Sequence, residues 1–263
     1  MPHALVNNIQ IHYERFGSGP PLFLVGGYGQ HKLAWKAYFD PLAKYFDVIA
    51  FDNRGAGQSD APKTPYSIEL FADDIAGVMD ALEIKSAHFI GQSMGTIIIQ
   101  QLCSTQPTRV NKAILCAPFA KLPAASIQKG RTLLEFLAQG VDRNMLLRLN
   151  ASWMLSNHRI EEPGGVEGFL EMMNRDPYPQ TPEGLVGQSR ALFACDLRPK
   201  LPAITHPLLL LVGGQDLATP PYCADEILDQ IQNGKLHTFK NMGHLFPWEI
   251  PDQVIEKAFS FLL

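Results

Sequence analysis

A serine flanked by glycines is the feature of this sequence that most clearly indicates chemistry. The segment Gly91-Gln92-Ser93-Met94-Gly95 has the pattern G-x-S-x-G. A short apolar run typical of a strand precedes it, and an apolar run typical of a helix follows it. A sharp turn between the two would expose the serine hydroxyl and crowd the positions of Gly91 and Gly95, where only glycine fits. The pattern predicts a nucleophile at Ser93; the alternative is a tight turn in which the serine only caps a helix.

A serine hydroxyl is a weak nucleophile at neutral pH and needs a base beside it. Among the eight histidines, His244 follows the last strand-like run and precedes the final helix-like run. Asp216 follows the apolar run 208–212 in the same way. Open α/β sheets build sites at the carboxyl ends of strands, and the chain order serine, acid, histidine is known for such triads. We expect His244 to take the proton of Ser93 and Asp216 to orient the imidazole, although each residue alone also suits an ordinary loop.

A glycine-rich loop, Gly26-Gly27-Tyr28-Gly29, follows the early apolar run 21–25. Glycines such as Gly27 let the backbone approach a reacting group closely, so the N–H groups of Tyr28 and Met94 are predicted to form an oxyanion hole. The alternative is a dinucleotide-binding loop, because Gly27-Tyr28-Gly29 begins with G-x-G. That alternative is disfavoured, since the third glycine position holds Lys32 and no acidic residue follows at the expected distance.

Strand-like and helix-like runs alternate along most of the chain, which predicts an α/β fold. Short apolar runs closed by glycine or polar residues are typical of parallel strands that are buried on both faces. We therefore expect a mostly parallel, twisted sheet with helices on both faces. The predicted strands are 9–15, 21–25, 46–51, 88–90, 112–116, 207–212 and 235–239.

This alternation stops between residues 121 and 203, where no convincing strand is found. Helix-like runs take its place, and prolines and glycines separate them. The predicted helices are 133–140, 143–155, 166–174 and 182–193. We expect a helical cap at 119–204, inserted into a core made of residues 1–118 and 205–263. The cap is expected to cover the site and to govern substrate choice, while the core carries the chemistry.

These motifs and their order resemble those of the α/β-hydrolase superfamily over nearly the whole chain. Within it the chain is similar to serine esterases and to the 3-oxoadipate enol-lactonase-like group, which has a four-helix cap. The segment 52–60, DNRGAGQSD, looks like a structural loop of the superfamily. One departure is Gly26, which stands where the superfamily usually has a histidine. The resemblance implies an enzyme that cleaves a carboxylic ester or lactone of a small to medium apolar substrate through an acyl-enzyme, with no cofactor and no metal.

Other members of the superfamily supply the alternatives. Carbon–carbon hydrolases of meta-cleavage type usually have an asparagine before the serine and a tryptophan after the histidine, but this chain has Gln92 and Leu245. A dehalogenase or epoxide hydrolase would need an aspartate at position 93. A carbon–carbon hydrolase or thioesterase, and a triad-retaining protein that senses a ligand or binds a partner, remain as alternatives.

Composition limits the class of protein further. The 263 residues carry a net charge of −4, without the basic excess expected of a nucleic-acid-binding domain. The four cysteines do not have the spacing of metal ligands, and Cys116 lies in an apolar run, so free thiols and a reducing compartment are expected. No apolar stretch is long enough to span a bilayer, and no signal peptide is recognised. We expect a soluble, cytoplasmic protein that binds a small ester-like molecule; its oligomeric state is not indicated.

Overall fold

An eight-stranded sheet forms the centre of the computed structural model, which describes residues 2–263. The strands are β1 (His3–Val6), β2 (Ile9–Phe16), β3 (Pro21–Val25), β4 (Asp47–Phe51), β5 (Ala87–Gln92), β6 (Val110–Cys116), β7 (Leu208–Gly213) and β8 (Gly234–Phe239). Their order across the sheet is β1-β2-β4-β3-β5-β6-β7-β8. The pairs β1–β2 and β2–β4 are antiparallel, and all other neighbours are parallel. The predicted α/β fold with a mostly parallel sheet is therefore confirmed.

Helices connect most of the strands. They are α1 (Lys36–Leu42), α2 (Ile68–Ala81), α3 (Met94–Thr105), α4 (Ala124–Ala138), α5 (Arg143–Met154), α6 (Asn157–Glu161), α7 (Gly165–Asn174), α8 (Pro182–Ala194), α9 (Tyr222–Leu228), α10 (Phe246–Glu249) and α11 (Pro251–Leu262). Short 3₁₀ turns cover Lys32–Trp35, Pro107–Arg109 and Arg198–Ala203.

Successive residues of β3 point to opposite faces of the sheet and join two different apolar cores. Phe23 and Val25 pack in the core that includes α2 and α3, whereas Leu22 and Leu24 pack in the core that includes α1 and α11. All four side chains are completely buried. Because helices cover both faces, β3 needs apolar residues at every position, which explains the continuous apolar run in the sequence.

The segment 119–204, called the helical insertion below, lies between β6 and β7 and contains α4 to α8. It has one helix more than the four expected, because the five-residue α6 was not predicted. Helix α4 also begins nine residues before the predicted start at 133. Gly130 lies inside α4, where a Cβ atom would come within 2.6 Å of the Phe193 ring on α8. That glycine serves close packing of two helices and does not end one.

A buried ion pair ties the loop after β4 to α2. Arg54 Nε and Nη2 donate to the two carboxylate oxygens of Asp74 at 2.5 and 2.6 Å. Both side chains are at most 3% exposed. Asn7 Nδ2 donates a further hydrogen bond to Asp74 at 2.8 Å. Residues 52–56 of the segment 52–60 are buried, and this pair holds them against α2, which fits a structural loop.

Replacing Arg54 with Met should lower the free energy of unfolding by about 3–5 kcal/mol, because the Asp74 carboxylate would stay buried without its cation. Arg109→Met is the matched control: Arg109 also pairs with an aspartate, Asp80, but that carboxylate is 63% exposed. The control should cost no more than about 1 kcal/mol. Urea denaturation measures both values, and equal losses would contradict the structural role of the buried pair.

Candidate active site

Ser93 lies at the sharp turn between β5 and α3. Its φ of 51° and ψ of −116° are unusual for a residue other than glycine, which indicates a strained backbone. A Cβ atom on Gly95 would lie 2.3 Å from the carbonyl oxygen of Val25, and one on Gly91 would lie 2.9 Å from Gly95 itself. Both glycines are therefore required by close backbone contacts, as predicted for a nucleophile elbow.

His244 and Asp216 meet above the carboxyl end of the sheet. Asp216 follows β7, His244 follows β8, and His244 Nδ1 lies 2.7 Å from Asp216 Oδ2. His244 is 4% exposed and Asp216 is 2% exposed. Because a carboxylate only accepts, Nδ1 carries the proton and donates, which leaves Nε2 as the acceptor. A base needs that tautomer to receive a proton from a hydroxyl.

Besides His244 Nδ1, three hydrogen-bond donors hold the carboxylate of Asp216 in one orientation. Asp216 Oδ1 accepts hydrogen bonds from the N–H groups of Ala218 at 2.8 Å and Thr219 at 2.9 Å. Asp216 Oδ2, which faces His244, also accepts from Thr219 Oγ1 at 2.9 Å. Thr219 was not predicted as a site residue. Its signal in the sequence is its place three residues after the aspartate, where an Asp side chain commonly binds the backbone of a turn.

The elbow and the histidine loop are adjacent. Gln92, the residue before Ser93, donates from Nε2 to the carbonyl oxygen of His244 at 3.4 Å. Across residues 2–263, no hydrogen bond joins Ser93 Oγ to His244. Such bonds are often long in unliganded enzymes and shorten when substrate binds. The structure thus joins His244 directly to Asp216, and it joins the elbow to the histidine loop through the side chain of Gln92.

The loop with Tyr28 lies beside Ser93, since a Cβ atom on Gly27 would be 3.2 Å from Ser93 Cβ. Gly27 N–H donates to Gln30 Oε1 at 2.7 Å, and Gly29 N–H donates to Gln188 Oε1 at 2.9 Å. The Tyr28 N–H between them has no acceptor among the described residues, and neither has the Met94 N–H at the start of α3. Two unpaired donors next to a serine hydroxyl are what an oxyanion hole requires.

Side-chain amides connect this loop to the elbow. Gln30 Nε2 donates to Gln92 Oε1 at 2.9 Å, while Gln30 Oε1 accepts from Gly27 N–H. Asn53 Nδ2 donates to the carbonyl oxygen of Gly26 at 3.0 Å. Gln30 was not predicted as a site residue, because an amide in a glycine-rich loop does not reveal its partner.

Helices α8 and α5 of the helical insertion contact the loops on either side of Ser93. On α8, Ser189 Oγ donates to the Tyr28 hydroxyl at 2.8 Å, and burial raises the pKa of Tyr28 to about 12, so this hydroxyl stays protonated. At the end of α5, the Met154 carbonyl accepts from the Leu245 N–H, next to His244, at 2.9 Å. The helical insertion therefore contacts both the loop with Tyr28 and the loop with His244.

Lys129 on α4 is a half-buried cation near the loop with Asp216. Ser126, one turn earlier, donates from Oγ to the Ala218 carbonyl at 2.7 Å and so fixes α4 to that loop. Lys129 Nζ donates to Asn150 Oδ1 at 2.7 Å and lies 4.7 Å from the centre of the Trp153 ring. Burial lowers the pKa of Lys129 to about 8, and the Asp216 carboxylate opposes that shift. Within residues 2–263 the ammonium forms no ion pair with a carboxylate.

No group of three or more histidine, cysteine, aspartate or glutamate side chains within residues 2–263 has the arrangement of a metal site. In the same part of the chain, no helix combines the length and apolar character needed to cross a membrane.

Similar proteins share both the fold and the length of this chain. The 3-oxoadipate enol-lactonase 2 of Acinetobacter baylyi is 31% identical over 220 residues, 81% of this chain and 78% of that protein. The 2-hydroxy-6-oxo-6-phenylhexa-2,4-dienoate hydrolase of Comamonas testosteroni is 28% identical over 98% of this chain and 92% of that protein. The enol-lactonase from Burkholderia xenovorans LB400, known from a crystal structure, is 28% identical in sequence to this chain. The two structures superpose with a TM-score of 0.86 over 99% of each chain. Residues 20–251 match the family described as alpha/beta hydrolase fold, and the chain belongs to that family.

Proposed function

We propose that this protein is a serine hydrolase that cleaves carboxylic esters or lactones. The observation that carries the proposal is the buried 2.7 Å hydrogen bond between His244 and Asp216 beside the strained serine turn. In this proposal Ser93 is the nucleophile, His244 the base and Asp216 the residue that orients the imidazole. The similarity to two enol-lactonases supports the reaction class.

The proposed reaction has two halves. Ser93 Oγ attacks the carbonyl carbon while His244 Nε2 takes the hydroxyl proton, and the N–H groups of Tyr28 and Met94 stabilise the oxyanion. The C–O bond to the leaving alcohol breaks, and His244 gives that alcohol its proton. Water then attacks the acyl-enzyme with His244 again as base, which releases the acid and restores the serine. From a lactone, the alcohol and the acid leave as one hydroxy acid.

The charge of Lys129 limits the class of substrate that we propose. A half-buried ammonium without a carboxylate partner is stabilised by an anionic group that binds beside it. Its neighbours Asn150 and Trp153 offer a polar contact and an aromatic surface, but no negative charge. We therefore propose that the apolar substrate expected from the sequence also carries a carboxylate. The relative named for 3-oxoadipate supports this class.

A fluorophosphonate probe should label Ser93 and no other serine, because only an activated serine reacts with it. Peptide mass mapping locates the adduct, and Ser93→Ala should abolish both labelling and turnover of p-nitrophenyl butyrate. The unlabelled serines of the wild-type protein are the internal control. Labelling without turnover of any ester, lactone or thioester would contradict the proposed enzymatic function. It would instead favour a protein that binds a ligand.

Asp216→Asn should lower kcat by roughly 10²–10⁴ with little change in KM, because the amide can donate to Nδ1 and favours the wrong imidazole tautomer. Asp225→Asn is the control, since Asp225 lies nearby on α9 with an exposed side chain. Steady-state kinetics on one ester measures both variants. If Asp216→Asn kept normal kcat, another residue would have to orient His244.

Lys129→Met should lower the preference for monomethyl adipate over methyl hexanoate by at least about tenfold in kcat/KM, because the charge that binds the carboxylate is lost. Arg148→Met removes an exposed cation of the same helical insertion and should leave the preference unchanged.

In the wild-type protein the preference for monomethyl adipate should be full below pH 8 and decline as pH rises above it, since the pKa of Lys129 is about 8 and only the protonated form attracts the anion. A pH-stat assay measures each ratio, and a preference that does not depend on Lys129 would exclude it as the anion-binding residue.

A further inference from the structure

Helix α8 of the helical insertion is bonded to the loop with Tyr28 at two points. Gln188 Oε1 accepts from the Gly29 N–H at 2.9 Å, and Ser189 Oγ donates to the Tyr28 hydroxyl at 2.8 Å. Gln188 is completely buried and Ser189 is 1% exposed, whereas Tyr28 is 36% exposed and Gly29 is half-buried, so both bonds are partly shielded from water. Consecutive residues of one helix thus hold the side chain of Tyr28 and the peptide group that follows it.

The Gln188 amide is itself held from the other side. Its Nε2 donates to the carbonyl oxygen of Arg54 at 2.9 Å, and Arg54 is anchored by the buried pair with Asp74. Both ends of the amide are therefore paired, and rotation of the amide would leave two buried backbone groups without partners. The Gln188 side chain therefore links the loop after β4 to Gly29, so that the position of Gly29 depends on the position of that loop.

The peptide group that contains the Tyr28 N–H is fixed as well. A peptide group is planar, so the N–H of Tyr28 points away from the carbonyl of Gly27. That carbonyl accepts from the Gln30 N–H at 3.2 Å, and the next peptide N–H, of Gly29, is held by Gln188. The direction of the Tyr28 N–H is thus set by bonds to its neighbours, of which the bond at Gly29 comes from the helical insertion.

We propose that Gln188 and Ser189 are positioning residues that hold the Tyr28 N–H in the direction of the reacting carbonyl oxygen. The inference rests on the proposed hydrolase function and extends it. Helix α8 then acts in the chemical step through the loop, in addition to the predicted role of the inserted helices in substrate choice. Neither side chain contacts the reacting atoms; both act through Tyr28 and Gly29.

An oxyanion exists only after attack on the carbonyl, so a misdirected N–H lowers kcat and leaves KM nearly unchanged. Loss of one donor of an oxyanion hole costs about 10²–10³ in kcat. A donor that is displaced but still present should cost less, about tenfold. A purely structural role of Gln188 would instead reduce the amount of folded enzyme, and KM and kcat per active serine would stay the same.

The experiment compares Gln188→Met and Ser189→Ala with Arg190→Met, an exposed neighbour on the same helix. Active serines are counted with the fluorophosphonate, and kcat and KM are measured per active site on p-nitrophenyl butyrate. A trifluoromethyl ketone of matching chain length gives a second readout. Its carbonyl carbon bonds to Ser93 Oγ, the hydroxyl proton goes to His244, and the new oxyanion occupies the hole. A matching amide binds without forming an oxyanion.

Gln188→Met and Ser189→Ala should each lower kcat by about tenfold and weaken the ketone by a similar factor, while the amide and Arg190→Met show no change. Ser189→Thr keeps the hydroxyl and should restore kcat. The double variant Tyr28→Phe with Ser189→Ala should be no worse than Ser189→Ala, because both remove the same bond. This pair decides the inference if Gln188→Met does not fold.

An active wild-type enzyme whose Ser189→Ala variant keeps full kcat and full affinity for the ketone would overturn the inference and leave the proposed function intact. Equal losses for the ketone and the amide would also overturn it, since they would show a general disturbance of binding. A wild-type protein that hydrolyses no ester and binds no trifluoromethyl ketone would overturn the proposed function, and the inference with it.

Discussion

Close contact between two backbone segments shapes this site. Gly95, at the start of α3, lies so near the end of β3 that a Cβ atom would come within 2.3 Å of the Val25 carbonyl oxygen. That contact allows the chain to turn sharply at Ser93, and it brings the glycine loop after β3 beside the first N–H groups of α3. Ser93 and the two unpaired N–H groups, those of Tyr28 and Met94, are neighbours as a result. The strained backbone of Ser93 is tolerated because the buried sheet and helix on either side hold it there.

Hydrogen bonds from side chains then arrange what the backbone contact brings together. Thr219 holds the carboxylate of Asp216, and Asp216 selects the tautomer of His244. On the opposite side of Ser93, Gln30 and Gln188 each occupy one N–H of the glycine loop. Amide side chains suit this role because one end donates while the other accepts, so a single residue links two segments without introducing charge. From the helical insertion, the Lys129 ammonium lies near the loop with Asp216, and burial lowers its pKa.

Most of the fold could be predicted because its signals are local. The runs at β3 and β7, and residues 48–51 of β4, are apolar because both sheet faces are covered, and the glycines beside Ser93 mark the turn directly. Other features depend on partners that are distant in sequence. The first turns of α4, which contain Gly130, were not predicted, and the contact of Gly130 lies 63 residues further on, at Phe193. The four-residue β1 is too short for a period-two pattern to be recognised. Gln30, Gln188 and Thr219 are ordinary polar residues until the fold shows what they bind.

The bonds between the helical insertion and the two loops beside Ser93 have a consequence for how such proteins diversify. α8 is bonded to the loop with Tyr28, and the end of α5 is bonded to the loop with His244. A segment attached in this way is not an interchangeable module. Exchange of the inserted helices between relatives would replace the residues that line the binding cavity. It would also remove the hydrogen bonds that hold the two loops of the reaction centre. A chimaera could retain its serine, histidine and aspartate, fold correctly and still lose turnover. Recombination within this family should therefore succeed when the crossover points keep each loop together with the helix that holds it.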